Sequence, residues 1–258
     1  MAEGATYAQE RRGLILEALA ADGRVAVTEL AARFEVATET IRRDLDQLAE
    51  HGLLERVHGG AVPRREGAAE PDLESRRITN VTAKRRLALA AARLLPKDPQ
   101  AAVLLDAGST TGELLPHLAG RRGPLLTNAP AIAQGALVHT DLAVHVLPGR
   151  VRPTTEAAVG AATVDALRAV HPKIVFLGCN GLGPEGFTTP DPDEAAVKTA
   201  MVRCAKRRVV LADSSKFFAT HLVTFAHLDE VDALVTDAAP PADLAALLAE
   251  AGVEVLVA

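Results

Sequence analysis

Apolar positions recur every three or four residues over 8–21, with Leu14, Ile15, Ala18 and Leu19 on one side, and the pattern breaks at Asp22-Gly23. That spacing predicts a helix with one buried stripe. Residues 24–27 read as a short extended piece, and Thr28 stands where the N-cap of a second helix belongs. Leu30, Ala31 and Phe34 form the inner face of that helix. A third helix is predicted over 38–51, with Ile41, Leu45 and Leu48 inward and Gly52 as its stop. From Leu53 to Val62 apolar and polar residues alternate around Gly59-Gly60, which predicts a β-hairpin. Residues 63–71 are charged, hold two prolines and show no apolar pattern, as a linker does.

Beyond Lys84 the pattern changes. Apolar runs at 102–106, 124–127, 142–147, 173–178, 208–212, 231–235 and 253–257 predict buried strands. Helical stretches at 84–95, 112–119, 129–138, 157–170, 194–206 and 241–251 separate most of them. Such alternation predicts a mostly parallel sheet with both faces covered. The fold class is therefore α/β: a small helical domain with a hairpin over 1–62, a linker over 63–71 and an α/β domain over 72–258.

The 258 residues suffice for one small and one medium domain, and 48% hydrophobic with 24% charged residues is ordinary globular composition. Residues 1–12 are polar and charged, and no apolar run approaches the roughly 18 residues of a membrane span. A cytoplasmic location is expected, with neither leader nor membrane association. Cys179 and Cys204 form no ligand cluster and read as free thiols, so neither metal nor cofactor is expected.

Charge alone argues against nucleic acid. The chain carries −5, and residues 1–65 hold nine Arg and no Lys against eleven Asp and Glu. Local placement points the other way. With Ile41, Leu45 and Leu48 inward, a step of about 100° per residue turns Glu39 and Arg43 outward and puts Thr40 and Arg42 on the flanks. A recognition helix reads bases with its first turns, and Arg makes bidentate contacts to guanine. About three residues join this helix to the one before it, as in a helix-turn-helix. Arg56 and His58 lie near the hairpin tip, where a wing would reach phosphates. An arginine pair is more often a solvated helix face; the order helix, turn, helix, hairpin is what favours DNA. The expected contact set is Arg11, Thr28, Thr38, Glu39, Thr40, Arg42, Arg43, Arg56 and His58.

The segments RRGLILEAL, VAVTELAARFEV and TETIRRDLDQLAEHGLLERVHGGAV resemble the winged helix-turn-helix of the DeoR family of bacterial regulators, over about residues 7–62. The resemblance implies an operator-binding transcription factor. One position departs from the family pattern: Ala37 stands where Ser usually caps the recognition helix. Losing such a cap costs about 1 kcal/mol, with Thr38 as the alternative cap. Helix-turn-helix proteins usually pair to match repeated half-sites, so a homo-oligomer, dimer or tetramer, is expected.

In the second half, the strand ending at Asp106 runs into Ala107-Gly108-Ser109-Thr110-Thr111 and a helix. Backbone amides, hydroxyls and the helix dipole there suit a single phosphate. The turn is too short for a Walker loop, and short turns of this composition are often only caps. Other strand ends add Asn128, Arg150, Arg152, Asn180, Asp213 and Lys216, with Lys84 and Lys198 as further cations. Ligands of open α/β sheets bind at the carboxyl ends of the strands. The expected effector set is Lys84, Asp106, Gly108, Ser109, Thr110, Thr111, Asn128, Arg152, Asn180, Lys198, Asp213 and Lys216. Gly181-Leu-Gly183-Pro-Glu-Gly186 matches a dinucleotide fingerprint, but Pro184 and the following Phe187-Thr-Thr-Pro190 deny it the helix that motif requires.

DAGSTT, LLTNAPAIA, PGRVRPTTEAAVG, FLGCNGL, GFTTPDPDEAAVK and LADSSKF resemble the DeoR-type sensor domain over about 72–236. That domain is similar in fold to ribose-5-phosphate isomerase. This part is most similar to fructose-operon repressors of high-GC Gram-positive bacteria, which implies a repressor relieved by a phosphorylated sugar such as fructose 1-phosphate. The rival is an isomerase-like enzyme with an added DNA-binding domain. Isomerisation needs a carboxylate base beside the substrate carbons. The resemblance aligns that base with Val197, before Lys198, while Asn180 and Gly181 stand where the isomerase has acidic residues; Glu194 lies a turn too early. No catalytic residue is expected.

The linker leads to a first prediction. Limited proteolysis should cut first within 63–71, leaving a C-terminal fragment that begins near residue 64–75. Initial cleavage inside 100–230 would contradict the two-domain plan.

Overall fold

In the computed structural model residues 8–50, 52–63 and 70–258 are described. Two compact units divide between Val81 and Thr82. The middle of the expected linker, 64–69, lies outside the described residues.

In the first unit, α1 (Ala8–Asp22) is followed by β1 (Val25–Ala26), α2 (Val27–Arg33) and α3 (Thr38–Glu50). Ile15, Ile41, Leu45 and Leu48 are completely buried in one cluster, joined by Leu19 and Leu30. Full burial of each such side chain contributes about 1.5–3 kcal/mol, which fixes the packing of α1 against α3. The hairpin β2 (Leu54–Val57) and β3 (Gly60–Pro63) completes the unit, with β3 central in the order β1-β3-β2. Val57 pairs with Gly60, so the turn is His58-Gly59, one residue earlier than the expected Gly59-Gly60. Gly59 takes φ +76°, and Gly60 is needed flat against β1.

Two further expectations are corrected here. Thr28 is no cap: α2 begins at Val27 with Ala26 at its N-cap and no capping side chain, and Thr28 is exposed in the first turn. The start of the second domain, expected at residue 72, falls later. α4 (Leu73–Ile78), capped by Asp72 accepting from the Ser75 amide at 2.8 Å, contacts α1 and buries Ile78 in the first core.

In the second unit, α5 (Val81–Ala92) precedes β4 (Val103–Leu105), α6 (Ser109–Gly112), β5 (Pro124–Thr127), α7 (Pro130–His139) and β6 (Ala143–Val146). Next come the hairpin β7 (Arg150–Arg152) and β8 (Ala157–Val159), α8 (Ala161–Arg168) and β9 (Ile174–Gly178). A second hairpin, β10 (Gly181–Gly183) and β11 (Gly186–Thr189), leads into α9 (Pro192–Cys204) and β12 (Arg208–Leu211). The chain ends with β13 (Val223–Ala226), β14 (Ala233–Thr236), α10 (Ala242–Glu250) and β15 (Glu254–Val257).

Seven of these strands form one sheet in the order β15-β14-β12-β9-β4-β5-β6, with every pairing parallel. One face packs on α5 and α7, the other on α8, α9 and α10. From β4 the chain winds outward to β5 and β6, then returns to β9 and winds the other way. The reversal lies between β4 and β9.

All seven sheet strands match apolar runs in the sequence. The differences are local. Residues 157–159, expected to open a helix, form β8, paired antiparallel with β7, and Ala158 also donates to the main chain of Asn128. The pseudo-fingerprint at 181–186 is the β10–β11 hairpin, paired on through β11 to β13. Its Gly186 takes φ +100° with Ala226 O only 2.3 Å from where a Cβ would sit, so the glycine serves backbone packing.

At Gly60 a Cβ would lie 2.0 Å from Val25 O, a rigid main-chain atom. Gly60→Ala should therefore cost about 1–3 kcal/mol, as overpacking does, read as a lower denaturation midpoint. An unshifted midpoint would deny the close approach of β1 and β3.

Candidate nucleic-acid interface and strand-end crevice

α3 presents the expected face. Glu39, Arg42 and Arg43 are exposed, and both guanidinium groups lean toward Glu39, at 3.4 Å for Arg42 and 3.8 Å for Arg43. Such solvent-exposed pairs contribute little to stability and are readily exchanged for other anions. Thr38 is the first helical residue and is exposed, while Thr40 is half-buried. The helix start is carried by the main chain: Ala37 O accepts from the Thr40 amide at 2.9 Å and the Ile41 amide at 3.4 Å. Neither Ala37 nor Thr38 thus supplies a side-chain cap of the kind considered from the sequence.

Behind this face lies a brace whose arginine the sequence pattern placed on the DNA side. Arg11 is buried, and its Nε donates to Asp44 Oδ2 at 2.6 Å, joining α1 to the inner side of α3. Its expected place in the DNA contact set is corrected: a guanidinium 8% exposed and paired with a buried carboxylate holds the helix rather than reaching a phosphate. Gln47 accepts from Arg12 at 2.7 Å along the same seam. Arg56 is half-buried, donating to Gly60 O at 2.9 Å and pairing with Asp46 at 2.9 Å, so it ties the wing to α3. His58 is exposed in the turn itself.

In the second unit the carboxyl ends of the strands gather most of the expected polar residues. Asp106 follows β4 and is buried; its Oδ2 accepts from Lys198 Nζ of α9 and from the Gly178 amide at 3.1 Å. Lys198 also donates to Gly178 O at 2.9 Å and stands 5.4 Å from the Phe225 ring centroid. The ion pair thus spans the β4–β9 reversal, where ligands of open sheets bind. The parallel register sets Leu105 beside Phe176 and Leu211 beside Gly178, which places the ends of β4, β9 and β12 around one spot, with Cys179 next after β9.

Several expected ligand groups are engaged with the protein. Asn128 Oδ1 accepts from the Ala107 amide at 2.9 Å, and its Nδ2 donates to Ala158 O at 3.2 Å. Thr111 is fully buried, its hydroxyl between Asp106 O at 2.7 Å and Gly108 O at 3.1 Å. Both shape the 106–111 loop from within. Asn180 Oδ1 accepts from the Thr189 hydroxyl at 3.1 Å, and Asp213 accepts from the Ser215 amide at 3.1 Å and from its hydroxyl. Gly108 is the N-cap of α6, while Ser109 and Thr110, half-buried, open the helix. Lys216 ends a short 3-10 turn and is half-buried. Lys84 is buried on α5, which covers the face of the sheet opposite α9.

A second charged cluster adjoins the first and was missed as such. Arg152 pairs with Asp191 at 2.9 Å and Glu194 at 3.3 Å, and Glu194 also accepts from the Thr155 hydroxyl. The β7–β8 hairpin is thereby fastened to α9. The available signal was Glu194 and Lys198, four residues apart on one helix and both buried. Glu194 is committed to these partners, and Val197 is buried in the core, so neither offers an isomerase base.

Burial raises the Asp106 carboxyl above its ordinary value even though Lys198 pulls it down, and it pushes the Cys179 thiol up to about 12. Cys179 is thus a neutral thiol at physiological pH. Among the described residues no group of three or more His, Cys, Asp or Glu is arranged to hold a metal, and no helix is long and apolar enough to cross a membrane.

The DeoR-like helix-turn-helix domain model matches residues 11–65, and the DeoR C terminal sensor domain model matches residues 79–238. The chain is 35% identical over 230 residues, 89% of this chain and 91% of the other, to an HTH-type transcriptional regulator named FruR from Bacillus subtilis. It is 30% identical over 93% of its length, and 95% of the other's, to the glycerol-3-phosphate regulon repressor of Escherichia coli. Among solved structures, ribose 5 phosphate isomerase A from Neisseria gonorrhoeae aligns with 54% of this chain and 54% of its own, at TM-score 0.38 and 14% identity.

The buried pair sets a further prediction. Lys198→Met should orphan the Asp106 carboxylate and cost about 3–5 kcal/mol at neutral pH. A carboxyl held above its ordinary value takes up a proton on folding, so its contribution is present at acid pH and lost as pH rises through the raised value. The deficit should therefore shrink on acidification, as followed by urea denaturation at several pH values. A deficit independent of pH would mean that Asp106 is not the group left unpaired.

Proposed function

The chain belongs to the DeoR family of transcriptional regulators, and from that premise we propose that it represses a sugar-utilisation operon and leaves its operator when a phosphorylated sugar fills the strand-end crevice. The observation that carries this reading is the convergence of Lys198 and Lys216 around the end of β9, beside the 106–111 loop. A phosphate monoester there gains charge-assisted hydrogen bonds from lysine and from the hydroxyls of Ser109 and Thr110. The amides that open α6 lack intrahelical partners and add donors. In this reading Asn180, Asp213 and the Asp106–Lys198 pair meet sugar hydroxyls, with Arg152 tied to Glu194 on the same helix as Lys198. Fructose 1-phosphate is the effector favoured by the resemblance.

On the DNA side, Arg42 and Arg43 read bases, exchanging Glu39 for guanine edges, with Thr38 and Thr40 beside them. His58 and the wing reach phosphates. Arg11 and Arg56 act from behind, holding α1 and the wing against α3. The regulator works as a dimer or tetramer in the cytoplasm.

Two measurements test the reading. Arg43→Ala should weaken operator binding by about 1–3 kcal/mol at fixed salt while the thermal midpoint holds, since Arg43 packs against nothing in the core. Unchanged gel-shift affinity would remove α3 as the reading helix. Thr110→Val and Lys216→Ala should keep operator affinity yet stay bound at fructose 1-phosphate concentrations that release the unaltered protein, because a ligand shifts an equilibrium only through differential affinity. Release of both variants at the original dose would place the effector elsewhere.

A further inference from the structure

All seven strands of the main sheet are parallel, so their amino ends lie together at the end opposite the strand-end crevice. Main-chain bonds join the amino ends of four neighbours, β5, β4, β9 and β12, into one surface. The Arg122 and Gly123 amides donate to Pro99 O at 3.0 Å, and the Lys173 amide donates to Ala102 O at 2.9 Å. The Lys206 amide donates to Pro172 O at 3.1 Å, and that of Arg207 to Lys173 O at 3.2 Å. With neighbouring strands about 4.8 Å apart, this surface runs across about 14 Å.

The segments that meet there, 96–102, 121–123, 171–173 and 203–207, hold seven Lys and Arg against one acid, Asp98, in a chain that carries −5. Lys97, Lys173 and Lys206 are three of the six lysines in the sequence. All three are exposed, as are Arg122 and Arg203, and none of these five has an ion-pair partner among the described residues. Arg121 is buried beneath them and donates to carbonyls: Pro96 O and Asp98 O at 2.8 Å, and Ala101 O at 3.2 Å. It holds the loop that carries Lys97, and the acid whose charge it feels is Asp98. Arg207 is paired with Glu254 at 2.8 Å. Acids return on either side, with Asp141 before β6 and Asp229 and Glu230 before β14. The amino ends thus form a narrow basic strip with acidic margins.

We propose that this strip is a second DNA-contact surface, one that binds the phosphate backbone of a duplex without reading its sequence. Phosphate neutralisation supplies nearly all sequence-independent affinity, and what it requires is cations. The helix-turn-helix unit is short of them. Residues 1–65 hold nine Arg against eleven acids, and Arg11 and Arg56 are already bonded to Asp44 and Asp46. The exposed cations of the strip face solvent, where their place beside a phosphate is won by displacing mobile counterions. Lysine suits that contact, because its compact ammonium meets a phosphate as a point charge from many directions. The strip lies at the other end of the sheet from the proposed effector crevice, so it does not depend on that reading.

The test is binding of the full chain to a mixed-sequence DNA duplex, followed by fluorescence anisotropy over a series of salt concentrations. Arg122→Gln, Lys173→Gln and Lys206→Gln combined should lower the slope of log affinity against log salt by about 2–3, near 0.9 per cation removed. Affinity at physiological salt should fall roughly tenfold or more, with the thermal midpoint retained. Lys173→Arg with Lys206→Arg keeps the charges and should keep both slope and affinity. Arg85→Gln, at an exposed side chain beside Glu113 and outside the strip, should leave the slope unchanged. A slope indifferent to the triple variant, or an unaltered chain that fails to bind the duplex at low salt, would overturn the proposal. So would a triple variant that loses binding to polyglutamate while holding DNA as before, since the strip would then serve an acidic protein.

Discussion

The α/β unit is organised around one buried ion pair. Asp106 and Lys198 join the end of the strand at which the sheet reverses direction to the helix that crosses behind it, and both bind the Gly178 main chain at the end of β9. A pair this deep recovers its desolvation only when nearly every hydrogen-bonding position is used. Gly178 fills part of that need through its amide and its carbonyl. The register of β4 against β9 and the rotation of α9 follow. With α9 so fixed, Glu194, one turn earlier, takes hold of Arg152 and Thr155 and thereby of the β7–β8 hairpin. The same hairpin is bonded to Asn128, whose side chain in turn receives the Ala107 amide. Polar contacts thus tie α9, the β7–β8 hairpin and Asn128 to the ends of β4 and β9, and the 106–111 loop, proposed to receive a phosphate, is held among them.

The first unit solves a related problem on a smaller scale. A short helix that must offer two arginines to solvent has only one side left to hold it, and Ile41, Leu45 and Leu48 fill that side. Asp44 falls on the same side and would be a buried charge without Arg11. One arginine is thus taken out of solvent so that two others can be displayed at a defined angle. Arg56 repeats the device at the wing through Asp46 and Gly60. This division of labour helps a segment with a net negative balance to present two arginines: two of its acids, Asp44 and Asp46, are paired with other arginines.

The periodicities were legible wherever burial was one-sided or complete. The inner strands of the main sheet were visible as apolar runs, since a strand buried on both faces admits few polar residues, and the partly exposed edge strands β6 and β15 were visible as well. α3 was visible with its facing, because Ile41, Leu45 and Leu48 leave one orientation open. What escaped notice was structure held by distant partners. β8 reads as helix in its own residues, Ala157–Val159, and becomes a strand by pairing with β7, with Ala158 also bonded to Asn128 thirty residues away. The β10–β11 hairpin, with its glycines, has too little hydrophobic pattern to declare itself.

The candidate sites divide in the same way. The sequence alone determined the two-part architecture, the outward face of α3 and the row of polar residues at the strand ends, because each follows from a local repeat of 3.6 or 2 residues. Which of those residues face outward and which are bound up inside was decided only by tertiary structure. Arg11 looks from the chain like Arg43, but it meets a carboxylate 33 residues away, and Asn128 meets main-chain groups 21 and 30 residues away. A buried polar group must take such a partner, and the partner's position in space is not encoded in the residue's own neighbours.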